Sequence, residues 1–290
     1  MKMTRKAWLQ TSIASLVLAA TGTVYAQSNE LRVGLIPSED AHAMIEASQQ
    51  VMKQLAAKTG MKVKPFVAND YNGVIEALRS GKLDIAYLGP FSYVMASQMA
   101  NAEAFAVAVT KKTGRSAYQS KVIARKDKGL QSLDHLKGRT FAFVDPSSAS
   151  GHLFPKAGLM ASGFDVDKGF SRVIFSGSHD ASIMAVANNK VDAAAVADRI
   201  FDSAIKKGLI KSEDFTVIWH SKPIPESPMV WRKDLDNATK QKVAAAMAEI
   251  KNLPWGDQGM LDGFAPTNDQ AYDVVRQTAK SLSLDLGKMK

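Results

Sequence analysis

From Leu31 onward the sequence alternates short apolar, β-rich runs with longer amphipathic stretches, and this alternation narrows the folds open to it. Leu31 to Ile36 reads as a strand. In Ala41 to Lys58, Met44, Ile45, Val51, Met52 and Leu55 fall on one helical face, and Gly60 ends the helix. Met61 to Ala68 is the next strand, Asp70 caps a helix running to Arg79, and Leu83 to Leu88 reads as a buried parallel strand ending at Gly89-Pro90. A helix follows from Phe91, then strands at Ala104 to Val109 and Ala117 to Arg125. The pattern restarts after Leu130, with strands at Thr140 to Val144, Arg172 to Phe175, Val191 to Val196 and Thr216 to His220. Helices at Ser150 to Ser162, Asp180 to Asn188 and Asp198 to Lys207 lie between them, and the chain from Asn237 onward reads as mainly helical. Such alternation implies two α/β units with mostly parallel sheets, and 290 residues suffice for both.

Two segments could carry the chain between the units. One is the strand around Tyr118 to Arg125. The other is Ser221 to Pro228, which has three prolines in six residues. If both cross, lobe one holds residues 27–122 plus 226–290 and lobe two holds 123–225. Two crossings make a hinge, with a ligand in the cleft.

The first 26 residues stand outside this pattern. Lys2, Arg5 and Lys6 precede an apolar run from Trp8 to Ala20, and Val24-Tyr25-Ala26 supplies small residues before a cut. This predicts a secretory signal peptide cleaved after about Ala26; the run is short for a membrane span. The sequence has no cysteine, which excludes disulfides, thiolate metal sites, a cysteine nucleophile and a lipidated cysteine anchor. A periplasm is the expected compartment. Removing the three leader cations lowers the net charge from +9 to +6. No basic run with interleaved aromatics suggests nucleic acid.

Three strand ends carry candidate chemistry. Asp145-Pro146-Ser147-Ser148-Ala149-Ser150-Gly151-His152 follows a strand and opens a helix. A helix start offers unpaired N–H groups and a partial positive charge, and serine hydroxyls add donors, which together suit an anion. The same residues also make an ordinary serine cap, and spacing does not separate the two. His179, at a strand end, could donate to an oxyanion or be a capping or surface histidine. Asp198 is either a cap or an acceptor for a cationic ligand group. Tyr71, beside the Asp70 cap, could present a phenol donor to the cleft and Tyr118 sits at the crossing, although a single tyrosine is more often a core or surface residue. There is no Walker loop, H-E-x-x-H pair or G-x-S-x-G elbow. Ser148 or Ser150 with His152 or His179 could form a nucleophilic pair; anion binding is the simpler account.

Almost the whole mature chain resembles the phosphonate-binding proteins of ATP-driven uptake transporters and their phosphite-binding relatives. The resemblance is carried by Asp70-Tyr71 before Ile75-Glu76-Ala77-Leu78 and by Leu83-Asp84-Ile85-Ala86-Tyr87-Leu88-Gly89-Pro90. It is carried further by Ser148-Ala149-Ser150-Gly151-His152-Leu153 with Pro155, by Gly177-Ser178-His179-Asp180, and by Ile224 to Arg232. It implies a type II periplasmic binding protein, with two doubly wound lobes on a two-segment hinge. It also implies a ligand-binding set of Tyr71, Tyr118, Ser148, Ala149, Ser150 and His179, with Asp198 and Ser227 at the positions that hold an ammonium in aminoalkylphosphonate binders. Ala149 stands where a threonine is usual, Asp198 where a glutamate is expected and Ser227 where an aspartate is expected. The loss of one carboxylate favours methylphosphonate or phosphite over 2-aminoethylphosphonate, although Glu226 is adjacent. The implied protein is a monomer that serves a membrane permease of an ABC transporter, needs no cofactor or metal and does no chemistry. The alternatives are a 2-aminoethylphosphonate-binding protein and an exported phosphorus-ester hydrolase.

Overall fold

The computed structural model describes residues 29–110, 117–255 and 259–286. The leader and its cleavage point after Ala26 lie outside the described residues. Among the described residues no helix is long and apolar enough to cross a membrane.

The first unit is built as the alternation requires. Strand β1 (Glu30–Leu35) pairs in parallel with β2 (Lys62–Val67) and β3 (Ile85–Tyr87). Helix α1 (Ala41–Thr59) connects the first two. Asp40 caps it by accepting from Ala43 N–H, and Gly60 ends it at φ 68°, a left-handed conformation that glycine adopts without penalty. Met44, Val51, Met52 and Leu55 pack on the sheet through one face, while Ile45 remains exposed. Helix α2 (Tyr71–Arg79), capped by Asp70, leads towards β3, and α3 (Pro90–Met99) follows it.

The sheet is completed by antiparallel strands. These are β4 (Ala102–Thr110), β12 (Pro228–Arg232), which returns from the second unit, and β13 (Leu261–Pro266). The order is β13-β4-β12-β3-β1-β2. Two sequence expectations need correction here. The C-terminal part holds α7 (Asn237–Glu249) and α8 (Asp273–Ser281), but also the edge strand β13. Its short Leu-Asp-Gly-Phe-Ala-Pro run lacks clear alternation and is held by pairing with β4. The sheets are also mixed rather than mostly parallel, because the returning segments add antiparallel partners.

The second unit has the order β10-β6-β9-β7-β8. It is formed by β6 (Ser120–Arg125), β7 (Thr140–Phe143), β8 (Arg172–Phe175), β9 (Ala193–Ala197) and β10 (Phe215–His220). Helices α4 (Phe154–Ala161), α5 (His179–Ala187) and α6 (Asp198–Lys206) pack around it. Between the two sheets lies a ribbon of β5 (Ala117–Tyr118) and β11 (Ile224–Pro225), with Tyr118 opposite Ile224. The run Ala117 to Arg125 is therefore two strands. Ser120 pairs with Ala197 and Val122 with Ala195, so Ser120 to Val122 belong to the second sheet.

The two units touch closely. One buried apolar cluster includes Ile36, Tyr71 and Leu88 from the first and Ala149, Ile183 and Ile200 from the second. Polar latches accompany it. His179 N–H donates to Ser38 O at 2.9 Å and Asp40 N–H to the Asp180 carboxylate at 2.9 Å. Ser147 Oγ donates to Asn72 Oδ1 at 3.3 Å, and Lys207 lies 3.8 Å from Glu39.

Candidate oxyanion-binding site

The serine-rich segment begins where β7 ends. Ser148 Oγ accepts from Gly151 N–H at 3.0 Å, so the serine does cap the turn. The turn is wide. Leu153 N–H reaches back five residues to Ser148 O at 3.0 Å, and Phe154 N–H does the same to Ala149 O. Pro155 explains the widening, because it has no N–H to offer the Gly151 carbonyl. That carbonyl instead accepts from Val144 N–H at 3.0 Å and pins the turn to the sheet. A Cβ on residue 151 would come within 2.4 Å of the Val144 side chain, so only glycine permits this approach. Ser120 Oγ–H donates to Ser150 O at 2.6 Å and fixes the turn from β6.

Both phenols of the sequence expectation converge on this turn. The Tyr71 phenol comes near the Ser148 side chain, and the Tyr118 phenol near that of Ser150. All four residues are buried, with Tyr71 at 1%, Ser150 at 1%, Ser148 at 2% and Tyr118 at 7% exposure. Burial pushes the Tyr71 hydroxyl well above its ordinary value, and the nearby Asp145 carboxylate adds to this. Burial also raises Tyr118, against the opposing pull of Arg199. Both phenols therefore keep their protons and act as donors. Ala149 is buried and brings only its main chain.

His179, at the start of α5, is also buried. Burial first, and the Arg199 charge second, push its imidazole down to about 3. It is neutral at physiological pH. Its Nδ1 lies 3.0 Å from Ala197 N–H and must accept that proton, which places the ring's own proton on Nε2. A neutral imidazole locked in this tautomer is a hydrogen-bond donor. His152 has a different place. Its Nδ1 is 2.8 Å from Pro146 O, and its ring packs edge-on to Phe143 and Phe175 at 5.0 and 5.4 Å. Burial pushes it down to about 4, and it serves as packing.

Asp198 and Ser227 lie on segments other than the serine turn. Asp198 is half-buried in the first turn of α6, and its Oδ1 accepts from Arg199 N–H at 2.7 Å. Ser227 is buried, and its N–H donates to the Glu226 carboxylate at 3.2 Å. Between them lies a pair that spacing did not single out. Arg199 Nε is 3.6 Å from Glu226 Oε2, with both side chains largely buried. The guanidinium also lies 4.8 Å from the Tyr118 ring centroid, within cation–π range. Burial pushes the Glu226 carboxyl up, Arg199 pulls it back, and Asp198 is close enough to add to the rise. Arg199 stays charged because the acids and phenols around it outweigh its burial. One sequence signal was present: an arginine in the first turn of a helix opposes the helix dipole and needs another partner.

The site thus gathers neutral donors from both units beside one buried ion pair. Residues 33–272 match the profile of the family described as "ABC transporter, phosphonate, periplasmic substrate-binding protein". The chain is 34% identical over 262 residues to the phosphonates-binding periplasmic protein of Escherichia coli, covering 87% of this chain and 77% of that one. It is 31% identical over 286 residues to the phosphate-import protein PhnD of Mycolicibacterium smegmatis, covering 92% and 89%. A binding-protein component of an ABC phosphonate transporter from Pseudomonas aeruginosa superposes with a TM-score of 0.78 at 30% identity, over 86% of this chain and 85% of that one. The chain belongs to the periplasmic phosphonate substrate-binding family of ABC transporters.

Proposed function

We propose that this chain binds a small phosphorus oxyanion, methylphosphonate or phosphite, and delivers it to the membrane permease of an ABC uptake transporter without chemical change. The observation that carries this reading is the burial of Tyr71, Tyr118, Ser148, Ser150 and neutral His179 where the two units meet. Hydroxyl, phenol and imidazole donors in a dry cleft suit an oxyanion, because hydrogen bonds to a charged acceptor are the strong ones. The latches between the units support a cleft that closes on ligand about the β5–β11 ribbon. The division proposed is lobe one before the ribbon and after it, lobe two between.

A phosphorus-ester hydrolase would need a base on the serines. Ser148 Oγ is engaged by Gly151 N–H, the phenols near the two serines are raised in pKa, and His179 spends its basic nitrogen on Ala197 N–H. Binding of 2-aminoethylphosphonate remains the second reading, favoured by the acids Asp198 and Glu226 near the site. We further propose that the chain works as a monomer in the periplasm after cleavage near Ala26.

The test is a thermal-shift screen on purified protein with methylphosphonate, phosphite, 2-aminoethylphosphonate, phosphate and sulfate, followed by calorimetry. A ligand present at about a hundred times its Kd adds roughly 2.7 kcal/mol of stability. Methylphosphonate or phosphite should raise the melting temperature, and sulfate should not. No response to any phosphorus compound would overturn the reading.

A further inference from the structure

We propose that the Arg199–Glu226 pair selects the ligand's substituent, turning away phosphonates with an ammonium tail and admitting those with a small uncharged one. The proposal rests on the oxyanion reading above. Tyr118 links the two halves of the argument. Its ring carries the Arg199 guanidinium at 4.8 Å, and its hydroxyl lies near the Ser150 side chain in the serine turn. His179 feels the same positive charge. The ion pair therefore borders the donors, and a substituent on phosphorus that extends from the serine turn past Tyr118 meets it.

An ammonium arriving there would need a carboxylate. Each carboxylate around the guanidinium is already engaged. Glu226 faces Arg199 and accepts from Ser227 N–H. Asp198 accepts from Arg199 N–H at the start of α6. Glu39 also lies in the field of Arg199 and has Lys207 at 3.8 Å. An ammonium would compete for Glu226 while repelled by a guanidinium that water hardly screens. A methyl group, or the single hydrogen of phosphite, asks nothing of the pair. The guanidinium also adds attraction for the oxyanion itself.

Arg199→Met and Glu226→Gln give opposite predictions, and this makes the proposal testable. Calorimetry on wild type and both variants would use methylphosphonate, 2-aminoethylphosphonate and phosphonoacetate, with melting curves to establish folding. Wild type should prefer methylphosphonate to 2-aminoethylphosphonate. Arg199→Met frees Glu226 and should shift that preference towards the ammonium ligand by about tenfold, the factor that 1.4 kcal/mol produces. Glu226→Gln leaves the guanidinium in excess; it should widen the preference and raise phosphonoacetate relative to methylphosphonate. If one variant does not fold, the other still decides by the direction of its ratio. A wild type that prefers 2-aminoethylphosphonate, or ratios that stay fixed or move the same way in both variants, would overturn the selector and leave the oxyanion site standing. A wild type that binds none of the three would remove both.

Discussion

Ser148→Ala separates the two roles that the serine holds at once. Its Oγ caps the turn by accepting from Gly151 N–H at 3.0 Å, and it lies near the Tyr71 phenol. Loss of a serine cap costs about 1 kcal/mol of stability. For a domain pair of this size that lowers Tm by roughly 2–4 °C. Loss of a hydrogen bond to a charged ligand costs about 1.5–3 kcal/mol, which weakens binding roughly 10- to 150-fold. Calorimetry with methylphosphonate reads the second effect, and a melting curve without ligand reads the first. Tyr71→Phe and the double variant complete the comparison. Because the two side chains lie close together, their effects on affinity should not add. A variant that melts a few degrees lower but binds within threefold of wild type would show that Ser148 is only a cap, and would refute the placement of the oxyanion at this turn.

Two further outcomes follow from the same segment. Gly151→Ala puts a Cβ 2.4 Å from Val144, so it should cost about 1–3 kcal/mol and weaken ligand as the turn shifts; wild-type melting would show that the turn yields freely. His152 is pushed down to about 4 by burial, so the unfolded chain takes up a proton at this residue from about pH 6.5 downwards while the folded chain does not. Its contribution makes stability fall as pH drops from about 6.5 towards 4, and His152→Phe should flatten that fall in melting curves at pH 7 and pH 4.5; an unchanged slope would refute it.

What could be read from the sequence was whatever local chemistry decides. Asp40, Asp70 and Ser178 accept from N–H groups at their helix starts, and Gly60 takes the left-handed turn. These features need no knowledge of distant residues. Strand β13 needed it, since its run becomes a strand through pairing with β4. The break at Gln119 needed it too, because one continuous β-rich run serves two sheets. The serine turn lies between these cases. Its serines and glycine are local signals, but Tyr71 and Tyr118 come to it through the closure of two units. Resemblance, not spacing, brought them together in the reading of the sequence.

Arg199 was hidden for a physical reason. A single arginine after Asp198 reads as a solvated helix residue, and a charged side chain is seldom buried unless it is paired. Its partner lies on the returning crossing, at Glu226, and only the fold brings the two within 3.6 Å. The pair joins α6 to the end of the ribbon, where the proposed hinge would act. Opening the cleft would return both charges to water, where each is well solvated. Closing without a ligand withdraws them into an environment that pays little back, whereas closing on an oxyanion adds an attraction to the guanidinium that the empty cleft lacks. The buried pair therefore makes closure more dependent on ligand than neutral donors alone would, and ties the choice of substituent to the motion that traps it.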